Sequence, residues 1–123
     1  MTRLFVGLGA LAAGLGVLLG AFGAHGLEGR VSPDRLETFR TGVEYQMYHA
    51  LALLLVGWAA AQGWSPLLHL AGYCFAGGIV VFSGTLYLLV LTDTGWLGAI
   101  TPLGGVAFIV GWGLLAWAAL TGG

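Results

Sequence analysis

The chain has 123 residues, 59% of them hydrophobic and only 7% charged, with four arginines, no lysine and five acids for a net charge of -1. A soluble domain carries about 25% charged residues, and a domain this short has too much surface to leave unclothed. An ordinary water-soluble fold is therefore excluded, as is a nucleic-acid binder, which needs a basic stripe for phosphates.

Despite 23 glycines, the dense Leu, Val, Ile, Phe and Trp content argues against disorder. Hydrocarbon is the solvent that suits such a chain, with backbone amides satisfied inside helices. A crossing helix needs about 20 apolar residues at 1.5 Å each. Span one is expected at 4–24. Arg3 ahead of this run fits a signal peptide, but the run is long and further spans follow, so it is read as uncleaved. Its glycines, among them the Gly16–Gly20 pair and Gly23, suit close approach of a neighbouring helix.

The concentrated charge lies between Glu28 and Glu44. Ser32-Pro33 reads as an N-cap followed by proline at the first helical position, and Asp34 suits the positive end of the helix dipole. Glu37 with Arg40, and Arg40 with Glu44, are spaced to pair along one side. Leu36, Phe39, Val43 and Met47 form an apolar stripe on another. This predicts an amphipathic interfacial segment at 33–44, then span two at 45–62; either an elbow near Gly42 separates the two, or the polar turns dip into the bilayer with their polar groups facing protein. Span two must recruit Tyr45, Gln46, Tyr48 and His49, because 50–61 is too short to cross alone.

Trp64-Ser65-Pro66 is the next turn, with Trp58 and Trp64 as interface anchors. Span three is expected at 67–91, carrying Gly77 and Gly78. Thr92-Asp93-Thr94-Gly95 is a turn. Span four is expected at 96–120, carrying Gly104 and Gly105, with Pro102 as a kink or an early-turn residue. The fold class is an all-α integral membrane protein of four transmembrane helices. Four spans place both termini on one side. Arg30, Arg35 and Arg40 outnumber Arg3, so the positive-inside rule puts the termini outside.

This topology gathers polar groups near one leaflet. His25 ends span one, and Glu44, Tyr45, Gln46, Tyr48 and His49 open span two, with Tyr87 and Asp93 at the end of span three. They make either a hydrogen-bonded clasp between helix ends or a polar pocket able to handle protons. Ser83 and Thr85 are expected to bond back to their own helix. No cofactor or metal is expected. His25 and His49 could in principle ligate haem, but there is no attachment pattern and no diagnostic metal motif. Cys74, the lone cysteine, reads as a small buried hydrophobe. No phosphate-binding loop, zinc-protease motif or nucleophile elbow is found, so catalytic residues are not assigned.

The stretch Gly20-Ala-Phe-Gly-Ala-His-Gly-Leu27, followed by Thr41-Gly-Val-Glu-Tyr-Gln-Met-Tyr-His-Ala-Leu-Ala-Leu53, resembles the paired hallmark of a small bacterial membrane family. That family is known as domain of unknown function 423, with eukaryotic relatives called transmembrane protein 256. The resemblance implies a multi-span protein of the bacterial inner membrane. It also directs attention to Gly23, His25, Gly26, Leu27, Glu44, Tyr45, Gln46, Tyr48 and His49, and it implies no reaction. Three functions stay in view. The first is a structural or interaction subunit packing with membrane lipids, with itself or with another membrane protein. The others are a proton-linked or small-solute carrier or channel, and an interfacial enzyme acting on a lipid headgroup or quinone.

Overall fold

In the computed structural model, which describes residues 2–122, the chain is helical almost throughout, and no strand occurs among these residues. Helix α1 (Thr2–Leu18) runs through a π-helical turn (Leu19–Gly23) into α2 (Ala24–Leu27). Helix α3 (Pro33–Ala61) follows, then α4 (Leu67–Gly78), a second π turn (Ile79–Ser83) and α5 (Gly84–Thr92). A 3-10 turn (Gly95–Ala99) leads into α6 (Thr101–Thr121).

Among the described residues, three stretches are long and apolar enough to cross a membrane: Thr2–Leu27, Leu67–Thr92 and Gly95–Thr121, of 26, 26 and 27 residues. Helix α3 is as long, at 29 residues, but Asp34, Arg35, Glu37 and Arg40 in its first turns lower its hydropathy.

Ser32 caps α3 by accepting the Arg35 N–H at 3.2 Å, which satisfies one of the donors that every helix start leaves free. The expected amphipathic segment 33–44 is not a separate helix. It is the opening of α3, which continues without a break through Gly42. Gly42 is where another helix comes close: a Cβ there would meet the Tyr87 ring at 2.8 Å. The expected Glu37–Arg40 and Arg40–Glu44 pairs do not form. The one ion pair among the described residues joins Arg35 to Asp93 at 3.2 Å. Asp93 itself takes a left-handed conformation, φ 51°, and closes α5. Pro102 sits in the first turn of α6, where its missing N–H breaks no internal bond.

Helices α1 and α3 pack antiparallel. Gly9 lies against Ala50 and Leu53, Gly16 against Met47, Gly23 against the Phe39 ring, and Gly57 against Val6. Gly20 is looser, with Val43 at 3.3 Å from a would-be Cβ. Between α4 and α6, Gly78 faces Phe108, Gly111 faces Phe75, and Gly104 faces the backbone of Phe82. Gly72 receives the Phe5 ring of α1. Gly77 faces open space, and Gly105 has its nearest neighbour at 4.0 Å, so neither makes a tight contact within the chain. Gly111 is also legible as a close-packing position, whereas spacing alone does not mark Gly57 or set Gly9 and Gly72 apart from the other glycines of their helices, because which face of a membrane helix is inward depends on its neighbours.

The central core joins Phe5, Leu53, Val56, Leu68, Phe75 and Phe108. A second cluster, Phe39, Leu89 and Val90, closes the charged end of the bundle under Leu27, Val31 and Leu97. Phe39 belongs to the predicted apolar stripe, so the opening turns of α3 are held by packing inside the protein.

Candidate functional site

The predicted polar residues do not converge on one point. They separate into three groups because they leave α3 in three directions. Residues 46 and 49 stand about 60° apart around a helix, at 100° per residue.

Gln46 points between α1 and α5 and is 4% exposed. Its Nε2 donates to the Ala12 carbonyl at 2.7 Å, and its Oε1 accepts the Tyr87 hydroxyl at 2.6 Å. One carboxamide therefore ties three helices together. His49 points toward α4 and α6 and is also 4% exposed. Its Nδ1 lies 2.7 Å from the Tyr45 carbonyl, and its Nε2 is 3.0 Å from Trp112 Nε1. A carbonyl can only accept and an indole N–H can only donate. The imidazole is thus the neutral tautomer with its proton on Nδ1. Its ring lies flat on Phe108, centroids 3.5 Å apart at 6°, with Phe75 tilted against it.

The third group is Glu44 and Tyr48, both exposed, with the Tyr48 hydroxyl donating to the Glu44 carboxylate. Tyr45 is exposed as well, and its ring stacks on Phe82 at 4.6 Å. His25 joins none of them. It is exposed in the last turn of α2, with no hydrogen bond, ion pair or ring contact among the described residues. The Leu27 carbonyl next to it is taken by the N–H groups of Arg30 and Val31. The π turn before α2 carries this short helix out of phase with α1, which is why depth alone does not place His25.

Ser83 departs from expectation. Its hydroxyl crosses to the Gly42 carbonyl at 2.6 Å. Thr85 does bond back, to the Val81 carbonyl at 2.6 Å, and also meets the Thr101 hydroxyl at 2.7 Å on α6. No buried side-chain nitrogen or oxygen among the described residues lacks a partner. No group of three His, Cys, Asp or Glu residues among them is placed to hold a metal ion. Cys74 is a half-buried free thiol.

The partners Ala12, Ser83 and Trp112 carried little signal in the sequence. Trp112 offered some: it falls mid-span, away from the interfaces where tryptophan usually sits, and a tryptophan at that depth needs an acceptor for its N–H.

A groove of about 720 Å³ opens on the side of the bundle. Leu11, Leu15 and Leu18 of α1 form one wall, and Ile79, Val80 and Gly84 form the other. Gln46 and Tyr87 lie on its floor. The groove exists because α1 meets α4 chiefly through Phe5, packed on Gly72 and Tyr73, and separates from it beyond that point. Replacing Gln46 with Leu should therefore loosen α1 before the rest. Faster amide exchange in Thr2–Leu18 is expected, with a loss of about 1 kcal/mol. Tyr87→Phe should add little on the Gln46→Leu background, and full additivity would show that the two groups do not act together.

Residues 19–105 match the family described as "Protein of unknown function (DUF423)". The chain is 50% identical over 119 residues to the UPF0382 membrane protein YwdK of Bacillus subtilis, covering 96% of this chain and 97% of that one. It is 49% identical over 114 residues to the UPF0382 membrane protein SAB0533 of Staphylococcus aureus, with 92% of each chain covered. It is 48% identical over 118 residues to SERP0230 of Staphylococcus epidermidis, with 96% of each covered. No solved structure matches. With a family match over most of its length and near full-length likeness to proteins named for the membrane, the chain belongs to the DUF423 family of membrane proteins.

Proposed function

We propose that this protein is a four-span bundle of the bacterial cell (inner) membrane that serves as an interaction subunit, its open side seating a helix of a second membrane protein or of another copy. The four-span reading rests on α3. A hydrocarbon layer of about 30 Å takes about 20 helical residues. Gly42 to Ala61 supply them, with Glu44 at the boundary and Glu37 and Arg40 beyond it among the headgroups. Arg30, Arg35 and Arg40 gather at that end, which favours a cytoplasmic connection and both termini outside.

The observation that carries the interaction reading is the lateral groove. Its lining is almost wholly apolar, and Gly84 in its wall has nothing within 4 Å of a would-be Cβ. Gly7, Gly14 and Gly77 are likewise uncovered. Glycine facing lipid gains nothing, whereas glycine facing a partner helix permits close backbone approach. A carrier would need a hydrated path past titratable groups. Gln46 and His49 are instead held by helix-to-helix hydrogen bonds, which supports a clasp.

The test is the oligomeric state of full-length protein in native-lipid nanodiscs. A defined oligomer or a stoichiometric partner is expected, and Gly84→Leu should abolish it while leaving thermal unfolding close to that of the parent. A monomer with no partner in native lipid would sink the proposal. Reconstituted vesicles should show no pH-dependent flux that His49→Ala removes.

A further inference from the structure

A second cavity, of about 440 Å³, lies at the charged end of the bundle. It sits between the connection that follows α2, the first turn of α3 and the last turn of α5. Arg30, Ser32, Arg35 and Asp93 supply its polar lining. Val31, Val90 and Leu91 supply the apolar part, and Leu91 is 64% exposed.

We propose that this cavity binds the phosphate headgroup of an anionic phospholipid, gripped by Arg30 and Arg35 with its glycerol and upper acyl carbons on Val31, Val90 and Leu91. Two cations face one anion across the cavity, so it keeps a net positive charge when empty of ligand. Arg35 gives Asp93 a single contact, at 3.2 Å from its NH2, and a guanidinium carries five N–H donors. Arg30 has no ion pair among the described residues, and its whole fork is available. Planar forked donors suit phosphate oxygens. The Ser32 oxygen accepts from the backbone, which leaves its hydroxyl proton free to donate. Every lining residue sits where a helix ends, the level at which a bilayer carries its phosphates. Basic pockets between helices on a cytoplasmic face are suited to anionic headgroups. Because Asp93 is 86% exposed at its side chain, it can turn away from Arg35 when a phosphate takes its place.

The experiment is native mass spectrometry of the full-length protein in mild detergent, titrated with phosphatidylglycerol, phosphatidylcholine and inorganic phosphate. Retention of phosphatidylglycerol is expected to exceed that of phosphatidylcholine. Arg30→Gln and Arg35→Gln should each lower it about fivefold. Arg30 is exposed and unpaired, so folding is not at stake in the first variant. Asp93→Asn breaks the same ion pair as Arg35→Gln but should hold or raise lipid retention; if the two variants fell alike, the pair would be merely structural and the site would be disproved. Equal retention of the two lipids, or unchanged binding in Arg30→Gln, would also overturn the proposal. Competition by inorganic phosphate at concentrations like the lipid's would point to a free anion and overturn the lipid assignment.

Discussion

Gly104→Ala is expected to be among the most damaging additions of a single methyl group to this bundle. The new carbon would lie 2.5 Å from the backbone nitrogen of Phe82 and 2.7 Å from its Cβ. Backbone cannot be relieved by a change of rotamer, so α6 must move off the second π turn. Overpacking of this kind costs about 1–3 kcal/mol, and the upper end is expected where the obstacle is main chain. The shift would also disturb Phe108, which Gly78 admits from the opposite side, and with it the stack under His49. Gly77→Ala is the matched control. Nothing lies within 4 Å of its would-be Cβ, so the monomer should gain about 0.5–1 kcal/mol from better helix propensity. Unfolding midpoints in one detergent compare the two directly. Equal midpoints would mean that α4 and α6 are less tightly apposed than described.

His49→Phe is the second substitution with a large expected effect. It keeps an aromatic ring over Phe108 and removes both hydrogen bonds, so the loss reads the polar contacts with little change in packing. Trp112 is 43% exposed, and in a lipid surrounding its Nε1–H would be left without its acceptor, at a cost of about 1 kcal/mol. Adding Trp112→Phe removes that orphan, and the double variant should be more stable than the sum of the single losses predicts. Strict additivity would mean that the indole finds another acceptor. A proton-carrying role for His49 predicts something different, a loss of flux with stability unchanged.

Much of this architecture was legible from the letters. So few charges left the helices no solvent but lipid, and Ser32-Pro33 and Thr92–Gly95 marked real ends because their chemistry is local. The hallmark motifs drew attention to Gln46 and His49. What could not be read was direction. Gln46 and His49 are neighbours in the motif, yet one bonds to α1 and α5 and the other to α6, and only the arrangement of four helices decides that. Gly42 carries the same lesson, since α3 runs through it unbroken. A glycine amid polar residues suggests a hinge, but here its missing side chain admits Tyr87. His25 looked like part of the cluster by depth, and a π turn gave no warning in its sequence, Leu19-Gly-Ala-Phe-Gly23.

The other π turn, Ile79–Ser83, sets the clocking of the helix beyond it. It holds one residue more than an α turn would, and one residue is about 100° of rotation. Wound instead as a regular α-helix, the same residues would swing every side chain from Gly84 to Thr92 around by about that angle. The Tyr87 hydroxyl would leave Gln46, Leu89 and Val90 would turn away from Phe39, and the wall that closes the charged end would come undone. A single inserted residue thus lets one crossing helix serve α6 with its first half and α3 with its second.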